Sequence, residues 1–459
     1  MSSSIIDSNY YKDMFGMSEM REIFSDDARL QAWIDTEIAL AKAQVLLGII
    51  PEGVDLALQK VAKISNLDKS AMKEHFDKVG FPILPFVKQL VKACDPQTAK
   101  WVHYGVTTQD ILDTGMVLQM KQGIKIIDSE LQFIIDATAK LTKKHSMTVM
   151  AGRTFQQLAA PITFGYKSGV WLDEMLRHRE RIQELKKRLL VGQCSGAVGT
   201  FATLGDQGVE VQKLMMKELD LQVPAISWHT ARDSWSELVN TFALMSATFA
   251  KIANEVSILM RSEIGELSEP FQVGRGASTT LPQKRNPISC EPIIAIAPKM
   301  RELASSQLSA MIQEHERGVG QMNIEWMVLP EAFIYMSGSL KHTRLILENL
   351  WVGEEQMRKN LDLGGGLIMS ESVMMGLAPK VGKSKAHHMV YRAASIAFEN
   401  KQTLREALLA DNEITKELSE NEIDSLINPI NYVGCIEEMI EQVLIKYNNY
   451  DKKMEKKTR

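Results

Sequence analysis

Residues Gly274 to Pro287 read GRGASTTLPQKRNP, with two glycines, two prolines, three hydroxyls and three cations in fourteen positions. A segment that merely joins two helices needs no such content. Glycines on either side of Arg275 permit positive φ and mobility, which suits a lid that orders over a ligand. Ser278 and Thr279 offer hydroxyls. Lys284 and Asn286 fall on one side of a proline-stiffened turn, where charge and amide together can hold a carboxylate. By composition alone the stretch reads equally well as a solvated interhelical loop.

The sequence around it is helical in pattern. Ser25 is placed to cap a helix, with Asp26 and Asp27 in its first turn. Apolar positions then recur at Leu30, Trp33, Ile34, Ile38, Ala41 and Val45 before Gly48 and Pro51 stop it. The series Ile124, Ile127, Leu131, Ile134, Thr138, Leu141 keeps the same steps, and further stripes run from Trp171 to Leu190, Leu238 to Met260 and Leu340 to Leu350. Alternating strand patterns are nearly absent. The expectation is an all-α protein whose long helices bury broad apolar stripes against one another.

At 459 residues the chain exceeds what one core supports, so two or three domains are expected. Apolar content of 45% and charged content of 24% are those of a soluble globular protein. A net charge of -4 argues against nucleic acid as a partner. Cys94, Cys194, Cys290 and Cys435 are scattered, which points to reduced thiols rather than disulfides or a metal site. Neither a signal peptide nor a membrane span is suggested at this level, and a cytoplasmic protein is expected.

Four other segments concentrate polar chemistry. Val102 to Asp110 (VHYGVTTQD) sets His103, Thr107 and Thr108 around one glycine, although a threonine there also serves as a plain helix cap. Gly152 to Gln157 (GRTFQQ) runs toward an expected apolar helix after Pro161. Trp228 to Asp233 is WHTARD, and Gln313 to Gly318 is QEHERG. Val191 to Gly208 and Gly364 to Gly366 are glycine-rich breaks. No Walker loop, GxGxxG, HExxH or GxSxG is present.

Taken in this order, the segments resemble the fumarase/aspartase (fumarate lyase) superfamily. Its signature loop, roughly GSSxMPxKxNP, is matched by Ser278, Pro282, Lys284, Asn286 and Pro287, with Thr279 where a second serine is usual. His103, Gly105, Thr107, Thr108 and Asp110 match the HxGxTSxD segment, and Ser195 to Thr200 (SGAVGT) looks like a family glycine turn. FSDDARLQAW, PITFG, SWHTARD, QEHERG, EWMVLP and GLIMSESVMMGLAPKVGKSKAHH are most similar to the 3-carboxy-cis,cis-muconate cycloisomerase branch.

The resemblance implies three helical domains, here 1–106, 107–352 (with the signature loop at 270–289) and 353–459, built around a central long-helix bundle. It implies a homotetramer whose active sites are shared between subunits, a small polycarboxylate substrate and no cofactor or metal. It also implies elimination through an aci-carboxylate dianion, which needs donors and a cation to stabilise the added charge. Ser278 is the expected base. Lys284 and Asn286 hold the carboxylate, with Thr107 and Thr108 in support and His103 as a further catalytic candidate. Thr154, Gln157, His229, Arg232, Arg275, Thr279 and Arg317 are candidates for substrate binding.

Two departures narrow the expected chemistry. C–N lyases of this superfamily carry a THxQ segment whose histidine protonates the leaving nitrogen, and here Phe155 stands at that position. Phenylalanine transfers no proton, whereas a carboxylate or carbon dioxide leaves without one. After His315, Gly320, Gln321, Met322 and Asn323 replace the serine-rich stretch of adenylosuccinate lyases, and Trp326 takes their phosphate-binding arginine position. The first expectation is therefore a 3-carboxymuconate cycloisomerase-like lyase. Decarboxylation of an aconitate-like tricarboxylate and C–N elimination are its rivals on the same scaffold. A non-catalytic scaffold descended from such enzymes is the alternative of another class.

Overall fold

The structure, a computed structural model, describes residues 3–270 and 274–458, with side chains through residue 450. Ser25 Oγ accepts the Ala28 N–H at 3.2 Å, so helix α1 (Asp26–Leu46) starts at the expected cap. Helix α2 spans Lys69–Val79. Five long helices follow: α3 (Thr108–Lys144), α4 (Phe164–Leu189), α5 (Asp233–Leu259), α6 (Cys290–Ser309) and α7 (Gln321–Glu348). Helices α8 (Ser370–Val381) and α9 (Lys383–Asn400) form a hairpin in the C-terminal part. The fold is all-α, as the stripes predict.

The chain divides into two compact units, and each boundary falls inside one of the five long helices. One unit comprises Met1–Glu130, His178–Ala247 and Ala295–Lys341; the other comprises Leu131–Arg177, Thr248–Ile294 and His342–Arg459. In the first unit, α1 buries Leu30, Trp33, Ile34 and Ala41 against Phe86, Ile111 and Leu112. The Trp33 and Phe86 rings meet edge to face, with centroids 5.5 Å apart. Gly115 of α3 makes room for this, because a Cβ there would lie 2.6 Å from Trp33 Cδ1. In the second unit, Val373 and Leu377 of α8 bury against Ala386, Met389 and Ala393 of α9 and against Leu404 and Leu408. Each fully buried side chain of this size contributes about 2 kcal/mol.

Helix α5 is long and apolar enough to cross a membrane by composition. Here Leu238, Val239, Phe242 and Met245 are buried in the protein core instead.

One element runs against the sequence reading. Residues expected to run into a helix form an antiparallel hairpin, β1 (Val149–Thr154) with β2 (Gln157–Thr163), and the helix begins only at Phe164. A register shift between Ala151 and Arg153 interrupts the alternation that would have marked the strands.

Candidate active site

Asp110 gathers the polar segments of the first unit. It sits in the first turn of α3, and its Oδ2 accepts the Thr107 N–H at 3.0 Å, an acid closing the helix start. The same buried carboxylate accepts the N–H groups of Ser195 at 3.0 Å and Gly196 at 2.9 Å, which fastens the SGAVGT turn to α3. His229 Nε2 lies 2.9 Å from Oδ1. A carboxylate so engaged is an acceptor, so the hydrogen belongs on Nε2, and Nδ1 faces Ser227 Oγ at 3.2 Å. Ser227 Oγ in turn lies 3.1 Å from Ser195 Oγ. VHYGVTTQD, SGAVGT and SWHTARD thus converge on Asp110, which the sequence reading matched to the HxGxTSxD segment without giving it a role. The spacing of Asp110 three places after Thr107 was the available signal.

The Thr107 and Thr108 hydroxyls are half-buried at the start of α3 and make no hydrogen bond among the described residues. A helix N-terminus favours an anion beside them. His103 stands at φ +58, the left-handed region, with its N–H donating to Glu37 Oε2 at 3.1 Å and its Nδ1 2.6 Å from Glu37 Oε1. Burial lowers the His103 pKa, but the charge and hydrogen bond of Glu37, with Asp110 adding to them, outweigh it and raise it overall. Arg317 donates to Gln109 Oε1 at 2.7 Å and to the Ala197 carbonyl at 3.1 Å.

Arg232 is placed differently from the expectation that it holds a substrate carboxylate. Its side chain is fully buried, forked between Asp113 (2.8 and 3.0 Å) and Glu325 (2.8 and 2.6 Å). Its guanidinium also lies over the Trp235 ring at 3.9 Å from the centroid. Burial works against its charge, and the two acids more than compensate, raising its pKa. The acids lie 119 and 93 residues away in sequence, so no local pattern announced them.

The signature loop lies in the second unit. Residues 271–273 of the expected loop fall outside the described residues. Its neck closes where Ala277 pairs antiparallel with Arg285, and both the Asn286 N–H and its Nδ2 donate to the Gly276 carbonyl at 3.2 Å. Gly276 has φ +69, and a Cβ would sit 2.9 Å from the Asn286 carbonyl oxygen, so only glycine fits. Arg275 donates to Ser289 Oγ at 2.5 Å, while Ser289 and Cys290 donate their N–H groups to buried Glu269, anchoring the loop to α6.

Within the loop, Ser278 Oγ accepts the N–H groups of Thr280 at 3.2 Å and Leu281 at 3.0 Å. Two donors aimed at one hydroxyl oxygen favour its ionised form, which is what a serine base requires. Thr279 Oγ1 lies 3.4 Å from Thr280 Oγ1. Lys284 donates its backbone N–H to the Leu281 carbonyl at 3.1 Å, while its exposed side chain makes no hydrogen bond or ion pair among the described residues.

The β1–β2 hairpin presents Phe155 and Gln156 as a two-residue turn closed by the exposed pair Thr154 and Gln157. Both turn residues have positive φ, +50 and +67, although such turns favour Asn and Gly. Phe155 is 100% exposed. At its base, Arg153 forks onto buried Glu266 at 3.0 and 2.6 Å, and Asn360 donates to the same acid.

A lyase family model matches residues 15–301, and a model of the adenylosuccinate lyase C-terminus matches residues 366–443. N-acetyl-S-(2-succino)cysteine lyase of Dickeya dadantii is 38% identical over 97% of this chain and 98% of that protein. Trans-aconitate decarboxylase 1 of Mycosarcoma maydis is 38% identical over 94% of this chain and 88% of that one. The crystal structure of 3-carboxy-cis,cis-muconate lactonizing enzyme from Pseudomonas putida superposes with a TM-score of 0.93 at 35% identity, covering 97% of this chain and all of that one. Loop, Asp110 hub and whole-chain similarity agree: the chain is an enzyme of the fumarase/aspartase superfamily of lyases, in the branch of the 3-carboxy-cis,cis-muconate cycloisomerases and adenylosuccinate lyases.

Proposed function

We propose that the enzyme acts on a small polycarboxylate, without a cofactor, by removing a proton next to a carboxylate and expelling a group stable as a weak base. The reaction most like this is that of 3-carboxy-cis,cis-muconate cycloisomerase, in which, read from the lactone side, the leaving group is a carboxylate. The observation that carries the reading is Phe155. The position at which the resemblance puts a proton-donating histidine is a phenylalanine exposed at a hairpin tip. An amine needs an acid to leave, while a carboxylate, carbon dioxide or a thiolate does not.

In this reading Ser278 takes the proton as an alkoxide held by its own loop amides. Lys284 and Asn286 stabilise the dianion that results, and the Thr107 and Thr108 hydroxyls hold a carboxylate at the start of α3. His103 and Arg317 bind further carboxylates, Thr154 and Gln157 flank the leaving group, and Asp110 with His229 keeps the glycine turn in place.

A homotetramer with shared sites completes the arrangement. Support comes from apolar side chains left exposed on the long helices, among them Leu244, Ile258, Leu308 and Met327. The four free cysteines are consistent with a reducing cytoplasm.

The relatives favour a thiolate as a further leaving group in the same chemistry and, as the alternative, loss of carbon dioxide. In that alternative no proton is removed: the C–C electron pair stays on the carbon, is stabilised by the same cation and amide, and is then protonated. The test is ultraviolet absorbance across carboxymuconate and its lactone, trans-aconitate, N-acetyl-S-(2-succino)cysteine and adenylosuccinate. Consumption of one of the first three substrate types is expected. Faster turnover of adenylosuccinate than of any other would overturn the reading.

A further inference from the structure

We infer that the cavity walled by Trp33, Phe76 and Trp326 is a binding site for a small aromatic carboxylate. It lies wholly in the first unit and has a volume of about 220 Å³. Trp33 comes from α1, Phe76 from α2 and Trp326 from α7, and Leu112 and Met116 of α3 add to the apolar lining. A cavity of about 150 Å³ holds benzene, so one somewhat larger takes a single ring with one small substituent.

Hydrogen-bonding capacity decides what that substituent is. The side-chain acceptors beside the cavity are spent or closed. Asp113 takes the hydrogens of Arg232 and Gln109, Glu325 those of Arg232 and Gln307, and both acids are buried. Gln119 donates its Nε2 to the Ile23 carbonyl at 2.7 Å, and its Oε1 is buried. Donors remain. Arg29 spends Nη1 on Asp26 at 2.9 Å, while its Nε and Nη2 make no hydrogen bond among the described residues. Those two nitrogens form one edge of the guanidinium, the edge that grips a carboxylate with two parallel bonds. The indole N–H groups of Trp33 and Trp326 are likewise without a partner among the described residues.

Position points the same way. Arg29, Trp33, Phe76 and Pro82 also line an adjoining depression of about 240 Å³, so Arg29 stands at the passage between the two spaces. Its side chain is 31% exposed and that of Asp26 89%, a surface pair of little strength that a ligand can outcompete. Lys69 and Lys73 line the depression as well, with Asp26 the one acid among its lining residues. Their own pairs, with Asp27 and Asp77, are exposed. An anion is thus drawn toward the passage, its ring fits the apolar space within, and its carboxylate stays on Arg29. His103, Thr107, Thr108 and Arg317 line neither space, so the site is separate from the candidate catalytic residues of this unit.

The experiment is calorimetric titration of the full-length protein with benzoate, benzyl alcohol and acetate at neutral pH. Benzoate is expected to bind at least about tenfold more tightly than the alcohol of similar size, and acetate, which lacks the ring, not measurably at millimolar concentration. Arg29→Met should bring benzoate down to the affinity of the alcohol. Lys284→Met, which alters the proposed catalytic carboxylate site, should leave benzoate binding unchanged, so failure here is distinct from failure of the proposed reaction. Circular dichroism reports whether each variant is folded, and the ligand comparison on the unaltered protein needs no variant. Equal affinity for benzoate and alcohol, no benzoate binding at millimolar concentration, unchanged binding in folded Arg29→Met, or loss of binding in Lys284→Met would each overturn the assignment.

Discussion

Asp110 and His229, 119 residues apart in the chain, meet at 2.9 Å, and the same carboxylate also holds the Thr107, Ser195 and Gly196 amides. One buried acid therefore positions Thr107, the glycine turn and the histidine. Asp110→Asn removes the charge and points an amide N–H at groups that are themselves donors. It is expected to lower unfolding stability by about 3 kcal/mol and to depress kcat/KM, read by denaturant titration and initial rates.

The Ser278 loop makes a separate prediction. Ser278→Ala is expected to cut kcat by about 10³-fold with circular dichroism unchanged. Lys284→Met keeps the stem and deletes the charge, so both a raised KM and a lowered kcat are expected. Near-normal turnover in the alanine variant would remove Ser278 from the chemistry.

Phe155→His restores an imidazole at the hairpin tip. Turnover of a substrate with an amine leaving group should rise by up to about 10²-fold relative to the parent enzyme, while a substrate losing carboxylate or thiolate gains nothing. The comparison of the two substrate types is the measurement, since a change common to both would report only a general effect.

His103 carries a pH dependence whose sign is fixed by Glu37. Its folded pKa is raised above the ordinary 6.5, so the stability from this pairing is complete below about 6.5 and is lost as pH rises through the folded value. The difference in unfolding free energy between the parent and Glu37→Gln should therefore shrink from about pH 6 to about pH 9. A difference that stays flat or grows over this interval would contradict the pairing. NMR titration of the His103 ring supplies the matching site-specific value.

Much of this architecture was legible in advance, and the reasons are local. Ser25, Asp26 and the stripe from Leu30 to Val45 specify α1 within a single segment, and the Ser278 to Pro287 offsets are contiguous. What escaped the sequence was non-local. Asp113 and Glu325 sit in helical stripes as ordinary acids, and only folding brings them onto Arg232. The 149–163 hairpin escaped because its register shift and Pro161 break the two-residue period, so its strands share no visible pattern with the helices on either side.

The neck of the Ser278 loop has a mechanical consequence. The Gly276 carbonyl takes one hydrogen of the Asn286 amide and thereby aims the other, so the orientation of that donor is set before any ligand arrives. Parting the neck would release the amide to rotate. In the proposed reading, opening the loop and loosening its hold on an anion are one event, with departure of product timed by the same bond that readies the enzyme for its next substrate.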